Sequence, residues 1–511
     1  MTTSTTIPSI KSAIYTIAKL ALPNMASFVV LIAGNFFTTQ FLISNGDFAA
    51  VDAVGLGGFM FSMFGLAVAI GLSSALDTVV SQAIGKKDNK EASINLAQAR
   101  FVNLVAVIPC AMILYFTEDL LVLLKQPEEM SKLAGVFIRR QMFGLVPVFW
   151  HAALGCYLRA ANRTIAPLVS NVVGTVAQVV TAAVLLKATG KGDGGEGYRG
   201  EEAVKICAYI AGGANLLRWL VLEIHVTMML PKEESKIGSI ATFMKVFFNH
   251  KGRTRLLTGV GKFVKLAIPT AVLLFAEWFS AEVQTLIAGW GDKGHGEYVS
   301  ANVTLASYSV LVFMIPVGIS NTVSYLVGSS LGAGEGAKAK VFAKAAGALT
   351  VGIMMVATVT LYCLKNVLVS DKNLKAEVVK TGDKKDIDLI MKQIHGSFLM
   401  LCLFAFIDGV QNVIEAVIRG TGVQGKAVWI KMGAMFVIRF GMGIVLFHVA
   451  KLHVLGLWLA AVIAMAASST MYLVMLSRVN FDEKAQEYAM KKKLDDVNVS
   501  TPAGSGEVEL V

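Results

Sequence analysis

Residues Gly71–Gly85 read GLSSALDTVVSQAIG, and residues Gly318–Gly332 read GISNTVSYLVGSSLG. Both stretches begin and end with glycine and carry small and hydroxyl-bearing residues between apolar ones. A shorter match precedes each of them, because KLALP at Lys19–Pro23 recurs as KLAIP at Lys265–Pro269. The two matches occur in the same order in each half, so the chain contains an internal repeat.

The repeat lies in a strongly apolar chain. Hydrophobic residues make up 55% of the 511 residues and charged residues only 16%, against roughly 25% charged residues in soluble domains. This composition excludes an ordinary soluble enzyme, a disordered chain and a disulfide-stapled secreted domain. A bilayer core needs about 20 apolar residues per helix. Twelve such runs are predicted, at residues 14–44, 52–83, 94–116, 133–158, 165–187, 203–230, 260–290, 299–331, 340–368, 390–418, 425–449 and 453–478.

The repeat assigns six of these runs to each half, and Leu158–Ala160 with Ile418–Gly420 provides a third match. Because six is even, both halves insert in the same orientation, as a parallel repeat. We therefore predict an all-α polytopic membrane protein with 12 transmembrane helices in two six-helix lobes, an arrangement typical of alternating-access transporters. The predicted segments are a cytoplasmic N-terminus at 1–13, an N-lobe at 14–230, a basic inter-lobe linker at 231–259, a C-lobe at 260–478 and a cytoplasmic tail at 479–511.

The formal net charge of +11 reflects membrane orientation rather than nucleic-acid binding, because the lysines and arginines fall in short segments between apolar runs. Residues 86–90 and 232–262 are rich in basic residues, whereas 44–50 and 117–132 are not. Both termini are therefore predicted to be cytoplasmic. The loop at 365–392 does not follow the rule that basic loops are cytoplasmic. It carries seven lysines and five acids but is predicted to lie outside. No cleavable signal peptide is expected, so the first apolar helix directs insertion.

Four stretches resemble the multidrug and toxic compound extrusion (MATE) family, and its eukaryotic branch in particular. They are Ala75–Gly85 at the end of helix 2, Ile268–Glu282 in helix 7, Met314–Gly334 in helix 8 and its loop, and Asp408–Gly422 in helix 10. The resemblance implies two six-helix lobes in a V-shaped bundle and cation-coupled export of organic, often cationic, compounds. It also favours protons over sodium, as in eukaryotic members of that family.

Two glutamates of helix 7 are candidates for ion coupling, because an ionisable side chain at bilayer depth is costly and by default marks a functional site. Glu277 lies eight residues after Pro269, about 12 Å along the helix and near mid-membrane. Glu282 points to a neighbouring face of the same helix. A carboxylic acid in an apolar setting can hold a proton, release it to water and then attract an organic cation. Alternatively, each glutamate pairs with an arginine of its lobe or with the backbone.

Helix 10 provides a second set, since Asp408, Asn412, Glu415 and Arg419 share one helical face. Glu415 and Arg419 are four residues apart, so an intrahelical salt bridge is their simplest interpretation, although Glu415 is also a candidate coupling residue. Asp408 lies deeper and is predicted as a second coupling carboxylate. Clustered oxygens would favour sodium as well, so the residues alone leave H+ and Na+ open as the coupling ion.

Polar and aromatic side chains near these acids are predicted to line the substrate cavity, because aromatic rings bind organic cations through cation–π contacts. The residues predicted for this role are Asp77, Gln82, Trp278, Tyr308, Tyr325, Gln411 and Asn412. The alternative for Asp77 and Gln82 is a helix-packing network, and the alternative for the aromatic residues is ordinary packing or an interfacial belt.

Two arginines, Arg218 and Arg439, also lie inside apolar runs. They either neutralise buried acids, as Arg218 would for Glu223 five residues on, or face the cavity and favour an anionic substrate. Pro23 and Pro269 are predicted hinges, because proline removes one helical hydrogen bond.

The sequence thus predicts a monomeric secondary transporter, not an enzyme, that exports organic cations and xenobiotics by proton or sodium antiport through alternating access. Its bilayer would be the plasma membrane or a vacuolar or other organellar membrane. No cofactor or bound metal is expected, since the five cysteines lie in apolar runs without metal-ligand spacing and are interpreted as small core residues. One alternative is an exporter or flippase of lipid-linked sugars or organic anions from the same superfamily, which Arg439 would favour. A membrane scaffold or an intramembrane enzyme is the other.

Overall fold

A computed structural model describes residues 7–44, 47–124, 126–188, 200–229, 239–291, 297–369 and 384–500, and these ranges contain helices but no strand. Outside them lie parts of the predicted cytoplasmic N-terminus, basic linker, lysine-rich loop and tail, together with short stretches inside both predicted lobes.

Twelve helices within these ranges are long and apolar enough to cross a membrane, which confirms the predicted all-α class and number of spans. They are α1 (Ile10–Ile43), α2 (Ala49–Gly85), α3 (Asn89–Tyr115), α4 (Glu128–Ala160), α5 (Ile165–Leu186), α6 (Glu201–Met228), α7 (Gly252–Trp290), α8 (Glu297–Gly332), α9 (Gly336–Cys363), α10 (Asp388–Thr421), α11 (Gln424–Val449) and α12 (His453–Ser477).

Several helices extend beyond the predicted apolar runs. Helix α4 begins at Glu128 rather than 133, and its first turn carries Glu128 and Glu129, whose charges complement the amino-terminal end of the helix dipole. The helix that contains α10 already begins at Lys384, so the lysine-rich loop ends earlier than predicted. Polar residues can thus continue a helix outside the bilayer, where hydropathy alone would end it.

Shorter helices accompany the long ones. They span Thr117–Leu123, Ile240–Phe248, Lys365–Leu368 and Phe481–Ser500. The last of these lies in the predicted tail at 479–511. Helix Ile240–Phe248 lies within the predicted linker, and its buried Phe243 packs edge-on to Trp150 with the ring centroids 6.0 Å apart.

The chain divides into two compact units. One unit contains Met1–Met25, Val272–Leu331 and Glu335–Lys484, and the other contains Ala26–Ala271, Gly332–Gly334 and Ala485–Val511. Helices α1 and α7 therefore each change unit, shortly after Pro23 and Pro269 respectively. Each unit includes the beginning of a helix that the sequence assigns to the opposite half. The change of unit occurs at equivalent positions of the repeat.

For brevity, the unit that contains Ala26–Ala271 is called the N-unit, and the unit that contains Glu335–Lys484 the C-unit. The N-unit core combines aromatic anchors such as Phe137 and Phe149 with many buried alanines. The C-unit core packs Phe398 of α10 and Trp458 of α12 around Met435 of α11. Small residues let membrane helices approach closely, which gains van der Waals contact where lipid offers no hydrophobic driving force. Four cysteines are buried as predicted, but Cys363 is exposed at the end of α9.

Polar contacts add specificity to the N-unit core. Arg100 of α3 forms a buried ion pair with Glu223 of α6. The Asn103 amide on α3 donates to the Ser73 Oγ of α2 and to the Phe149 carbonyl of α4, at 2.9 Å each. These bonds fix the positions of three neighbouring helices against α3.

Two glycines at equivalent places of the repeat allow close helix contacts. A Cβ on Gly71 would lie 2.6 Å from the Cα of Ala271, and a Cβ on Gly318 would lie 2.7 Å from the backbone nitrogen of Met25. Helix α2 therefore approaches α7 within the N-unit, and α8 approaches α1 within the C-unit. No larger residue fits either contact without displacing backbone.

Substituting Gly318 by alanine is expected to lower stability by about 1–3 kcal/mol, because the new methyl group overpacks the contact with α1. Thermal unfolding of the purified protein, followed by tryptophan fluorescence, measures the effect. Gly347 of α9 is the matched control, since a Cβ there meets nothing within 4 Å. Gly347→Ala is expected to be neutral or stabilising, because alanine favours helix more than glycine does. Equal melting temperatures for the two variants would contradict the close-contact explanation.

Candidate functional site

A buried lysine organises the charged residues of the C-unit. The side chain of Lys431, on α11, is only 1% exposed. Its Nζ lies 2.7 Å from the Glu277 Oε2 of α7 and 2.9 Å from the Glu415 Oε1 of α10. One ammonium group thus bridges carboxylates of two other helices. Buried charges of this kind are tolerated when they are paired and hydrogen-bonded.

Neighbouring polar groups orient one of these carboxylates. The Gln411 Nε2 donates to the Glu415 Oε1 at 3.1 Å. The Gln411 Oε1 in turn accepts from the hydroxyl groups of Ser468 and Ser469 on α12, at 2.7 and 2.9 Å. Gln411 was predicted for the substrate cavity, and here its side chain connects Glu415 to α12.

A third acid and an arginine complete the cluster. Asp408 of α10 is buried and lies close enough to Glu277, Lys431 and Arg439 to interact with their charges. The Arg439 guanidinium of α11 donates through Nη1 to the Ser280 Oγ at 2.6 Å and through Nη2 to the Gln284 Oε1 at 2.7 Å. Both acceptors belong to α7. Arg439 is therefore held by neutral groups while its charge acts on the acids.

Helical spacing explains how the cluster forms. Glu277, Ser280 and Gln284 on α7 follow an i, i+3, i+7 pattern, which places them on one face. Asp408, Gln411 and Glu415 repeat the same pattern on α10. Helix α11 contains a π-helical stretch, Gly433–Met442, between Lys431 and the end of the helix, and such irregularities are frequent at functional sites.

The charge balance of this cluster is uneven. It contains three carboxylates, of Glu277, Asp408 and Glu415, and two cations, of Lys431 and Arg439. With every group ionised, one negative charge has no cationic partner among these five residues. A single proton or another monovalent cation would neutralise the cluster.

The hydrogen bonds and ion pairs described above do not involve the other predicted site residues. Glu282 is partly buried on α7, and Trp278, Tyr325 and Asn412 are also partly buried. Tyr308 donates its hydroxyl to the Leu368 carbonyl at 3.2 Å and packs 6.2 Å from the Phe398 ring, so its described contacts are packing contacts. Asp77 and Gln82 are buried on α2 in the N-unit.

Two acids form ion pairs with cations that the sequence did not predict as their partners. Glu415, predicted to pair with Arg419, bonds to Lys431. The predicted neutralisation of Glu223 by Arg218 is wrong, because Glu223 pairs with Arg100. The side chains of residues five apart on a helix project in directions about 140° apart. A cation on another helix can therefore reach Glu223 more easily than Arg218 can. Arg218 instead donates to the oxygens of neutral side chains on α5 and α6, including the Gln178 Oε1 at 2.7 Å.

Lys431 is the functional candidate that the sequence prediction missed. It lies inside the apolar run predicted at 425–449, so the rule that selected Glu277 applies to it equally. Among the residues that the structure describes, no group of three or more His, Cys, Asp or Glu side chains is arranged to hold a metal ion.

Comparisons with known proteins agree with this architecture. The MatE family model matches residues 14–184 and 269–445. Multidrug and toxin extrusion protein 2 of Mus musculus is 25% identical over 497 residues, covering 94% of this chain and 79% of that protein. Multidrug and toxin extrusion protein 1 of Danio rerio is 21% identical over 486 residues, covering 93% and 74%.

Solved structures share the fold. The eukaryotic MATE transporter AtDTX14 superposes with a TM-score of 0.79 at 18% identity, covering 94% of this chain and 98% of that one. A MOP superfamily transporter from Pyrococcus furiosus, described as having a binding pocket of reverse polarity, superposes with a TM-score of 0.76 at 14% identity, covering 94% and 97%. At these identities the likeness concerns the fold.

Proposed function

The chain belongs to the MatE family of membrane transporters, and from that premise we propose that it exports organic cations in exchange for protons by alternating access. It is an integral multi-pass membrane protein and a transporter rather than an enzyme. The names of its relatives, multidrug and toxin extrusion proteins, support a broad range of substrates.

The charge balance of the C-unit cluster carries this proposal. One carboxylate charge is in excess among five buried or largely buried ionisable groups. In a low-dielectric site such an excess is costly, so the cluster favours binding one monovalent cation. A proton and an organic cation would both relieve the same charge. Because they compete for it, binding of one promotes release of the other, which is the simplest basis for exchange.

The ion pairs of Lys431 suggest how this competition could change the contacts between helices. In the described state its ammonium group holds Glu277 and Glu415 together. Protonation of Glu277 would remove one of the two ion pairs and let α7 and α11 change their contact. Asp408 would attract the organic cation while it is ionised. We propose that a proton from the outer side neutralises the site and releases the substrate, and that the proton leaves towards the cytoplasm.

Two further assignments complete the proposal. Basic residues after α2, including Lys86, Lys87 and Lys90, favour cytoplasmic termini. Pro269 of α7 lacks a helical hydrogen bond, which would let the helix bend and so accommodate movement. The membrane would be the plasma membrane or an organellar membrane, and the transporter would act as a monomer.

Uptake by proteoliposomes tests the proposal. Vesicles holding the purified protein receive a fluorescent organic cation under a pH gradient without sodium, and separately under a sodium gradient at constant pH. We expect accumulation driven by the pH gradient only, lost on adding a protonophore and absent from protein-free vesicles. Accumulation driven by sodium alone would replace the proton by Na+ as the coupling ion, with the same carboxylates as ligands. Lack of accumulation under either gradient would contradict cation export.

A second candidate function is export of organic anions. It is favoured by the buried Arg218, whose described hydrogen bonds go to uncharged acceptors. Accumulation of an organic anion, but of no cation, in the same vesicles would support it.

A further inference from the structure

A small cavity lies within the N-unit, between side chains of α1, α2, α4, α5 and α6. Its volume is about 60 Å³, whereas one water needs roughly 10–15 Å³ on a comparable measure. It therefore has room for a few waters or a small ion. The space is well below the roughly 300 Å³ at which pockets for drug-sized ligands begin. The polar side chains around it are those of Ser27, His151, Arg159, Asn171, Asn215 and Arg218.

The cavity has a positive lining. Two of its residues, Arg159 and Arg218, carry guanidinium groups, and the described residues that line it include no Asp or Glu. Buried arginine normally pairs with a carboxylate or phosphate, because an uncompensated charge in a low-dielectric site is costly. The described lining of the cavity therefore contains no acidic side chain to compensate the charges of its two arginines.

Arg218 is the more buried of the two, with only 5% of the residue exposed. Its Nη1 and Nη2 donate to the Asn215 Oδ1 at 3.0 Å, the Thr175 Oγ1 at 3.1 Å and the Gln178 Oε1 at 2.7 Å. All three acceptors are neutral. Its buried Nε has no hydrogen-bond partner among the described residues. The donors are therefore held in place by neutral groups that leave the charge uncompensated.

Arg159 approaches the cavity from the end of α4. Its Nη2 contacts the Cys156 Sγ at 3.0 Å, and its guanidinium carbon lies 5.7 Å from the centre of the Phe28 ring. Sulfur and an aromatic face are weak partners for a guanidinium. The buried Nε of Arg159 likewise has no partner among the described residues. Both arginines thus retain capacity for an anionic acceptor.

We propose that this cavity binds a small monovalent anion, either a carboxylate group or a halide. Guanidinium groups suit this chemistry, because their fixed fork of donors matches a carboxylate and charge-assisted bonds are strong. The size of the cavity suits a small anion rather than a drug-sized ligand. The Oδ1 of Asn171, a further unpartnered atom, is an acceptor and would bind a water that hydrates the anion. This proposal does not depend on the cation exchange proposed above, because binding of the anion can be measured without any transport.

Anion-dependent melting of the full-length protein in detergent tests this site. Sodium gluconate is replaced stepwise by sodium chloride or sodium acetate at constant ionic strength, and unfolding is followed by tryptophan fluorescence. A ligand that binds only the folded state raises the melting temperature with the logarithm of its concentration once this exceeds the dissociation constant, by about 3 °C at about 100 times that constant. The acetate and chloride arms separate a carboxylate from a halide, and a rise with either supports the proposal.

Three variants make the test specific. Asn215→Asp is nearly isosteric and places a fixed carboxylate at the acceptor position 3.0 Å from the Arg218 Nη1. It is expected to melt higher than the wild type in gluconate and to lose the anion-dependent rise. Arg159→Gln is expected to raise, roughly tenfold or more, the anion concentration at which the melting temperature begins to rise, because one charged donor is lost. Arg140→Gln, an exposed site on the same helix, is the control and should behave as the wild type.

Two results would overturn the proposal. One is the absence of a concentration-dependent rise in the wild type with both anions. The other is a rise of unchanged size in Asn215→Asp, which would locate the anion effect elsewhere. If Arg159→Gln does not fold, Asn215→Asp still decides the question.

Discussion

Replacing Glu277 by glutamine is expected to abolish export driven by a pH gradient while leaving a folded protein. Glutamine keeps the size of the side chain and can still accept a hydrogen bond from the Lys431 Nζ, which retains its ion pair with Glu415. It can neither bind nor release a proton at this position. Uptake of a fluorescent organic cation into proteoliposomes is expected to fall to the level of protein-free vesicles.

The control for this variant is Glu335→Gln. Glu335 directly precedes α9, pairs with Lys338 of its first turn at 2.8 Å, and takes no part in the cluster. This variant should transport as the wild type does, and both proteins should show the same elution volume in size-exclusion chromatography. Coupled uptake at wild-type rate by a monodisperse Glu277→Gln protein would refute the role of Glu277.

The second large effect is expected on stability, from Lys431→Gln. Removing one partner of a buried ion pair leaves the opposing charge uncompensated, which costs about 3–5 kcal/mol. Here a single ammonium group serves both Glu277 and Glu415, so its loss leaves three carboxylates with only Arg439 as a nearby cation. We expect the melting temperature to fall by roughly 3–5 °C, because the unfolding entropy of a chain of this length is about 1 kcal/mol/K.

A matched variant and a double variant make this prediction specific. Lys426→Gln changes an exposed lysine of the same helix and should leave the melting temperature within about 1 °C of wild type. Lys431→Gln combined with Glu415→Gln removes a carboxylate together with its partner and should recover part of the loss, as coupled residues do. A double variant less stable than Lys431→Gln alone would show that Lys431 does not stabilise these acids.

The general architecture could be predicted because it depends on signals that are local in sequence. Apolar runs indicated the twelve helices, and the matching stretches around Gly71 and Gly318 indicated the repeat. The glycines themselves have a clear structural reason, since each meets backbone of another helix. The division of α1 and α7 between two units could not be anticipated, because it depends on contacts between residues far apart along the chain.

The candidate site was partly predictable for the same reason. Intramembrane charge selected Glu277, Asp408 and Glu415, and helical spacing grouped the last two. Which cation each acid would meet was not predictable, because Lys431 and Arg100 reach their partners from other helices. Spacing within one helix suggested Arg419 and Arg218 as partners because only local neighbours are visible in a sequence. Such neighbours are a weak guide wherever helices pack closely on several sides.

The exchange of helix beginnings between the two units has a consequence for how the protein is made. The segment Met1–Met25 leaves the ribosome before the other parts of its unit, which begin only at Val272. At about 5–20 residues per second, roughly 10–50 s pass before those parts begin to emerge. During this interval the start of α1 lies in the membrane without its native neighbours. The N-unit can assemble almost completely as soon as Ala271 has been translated, whereas the C-unit must wait for the last helices. Synthesis of either half alone would therefore leave a unit without one of its helical segments.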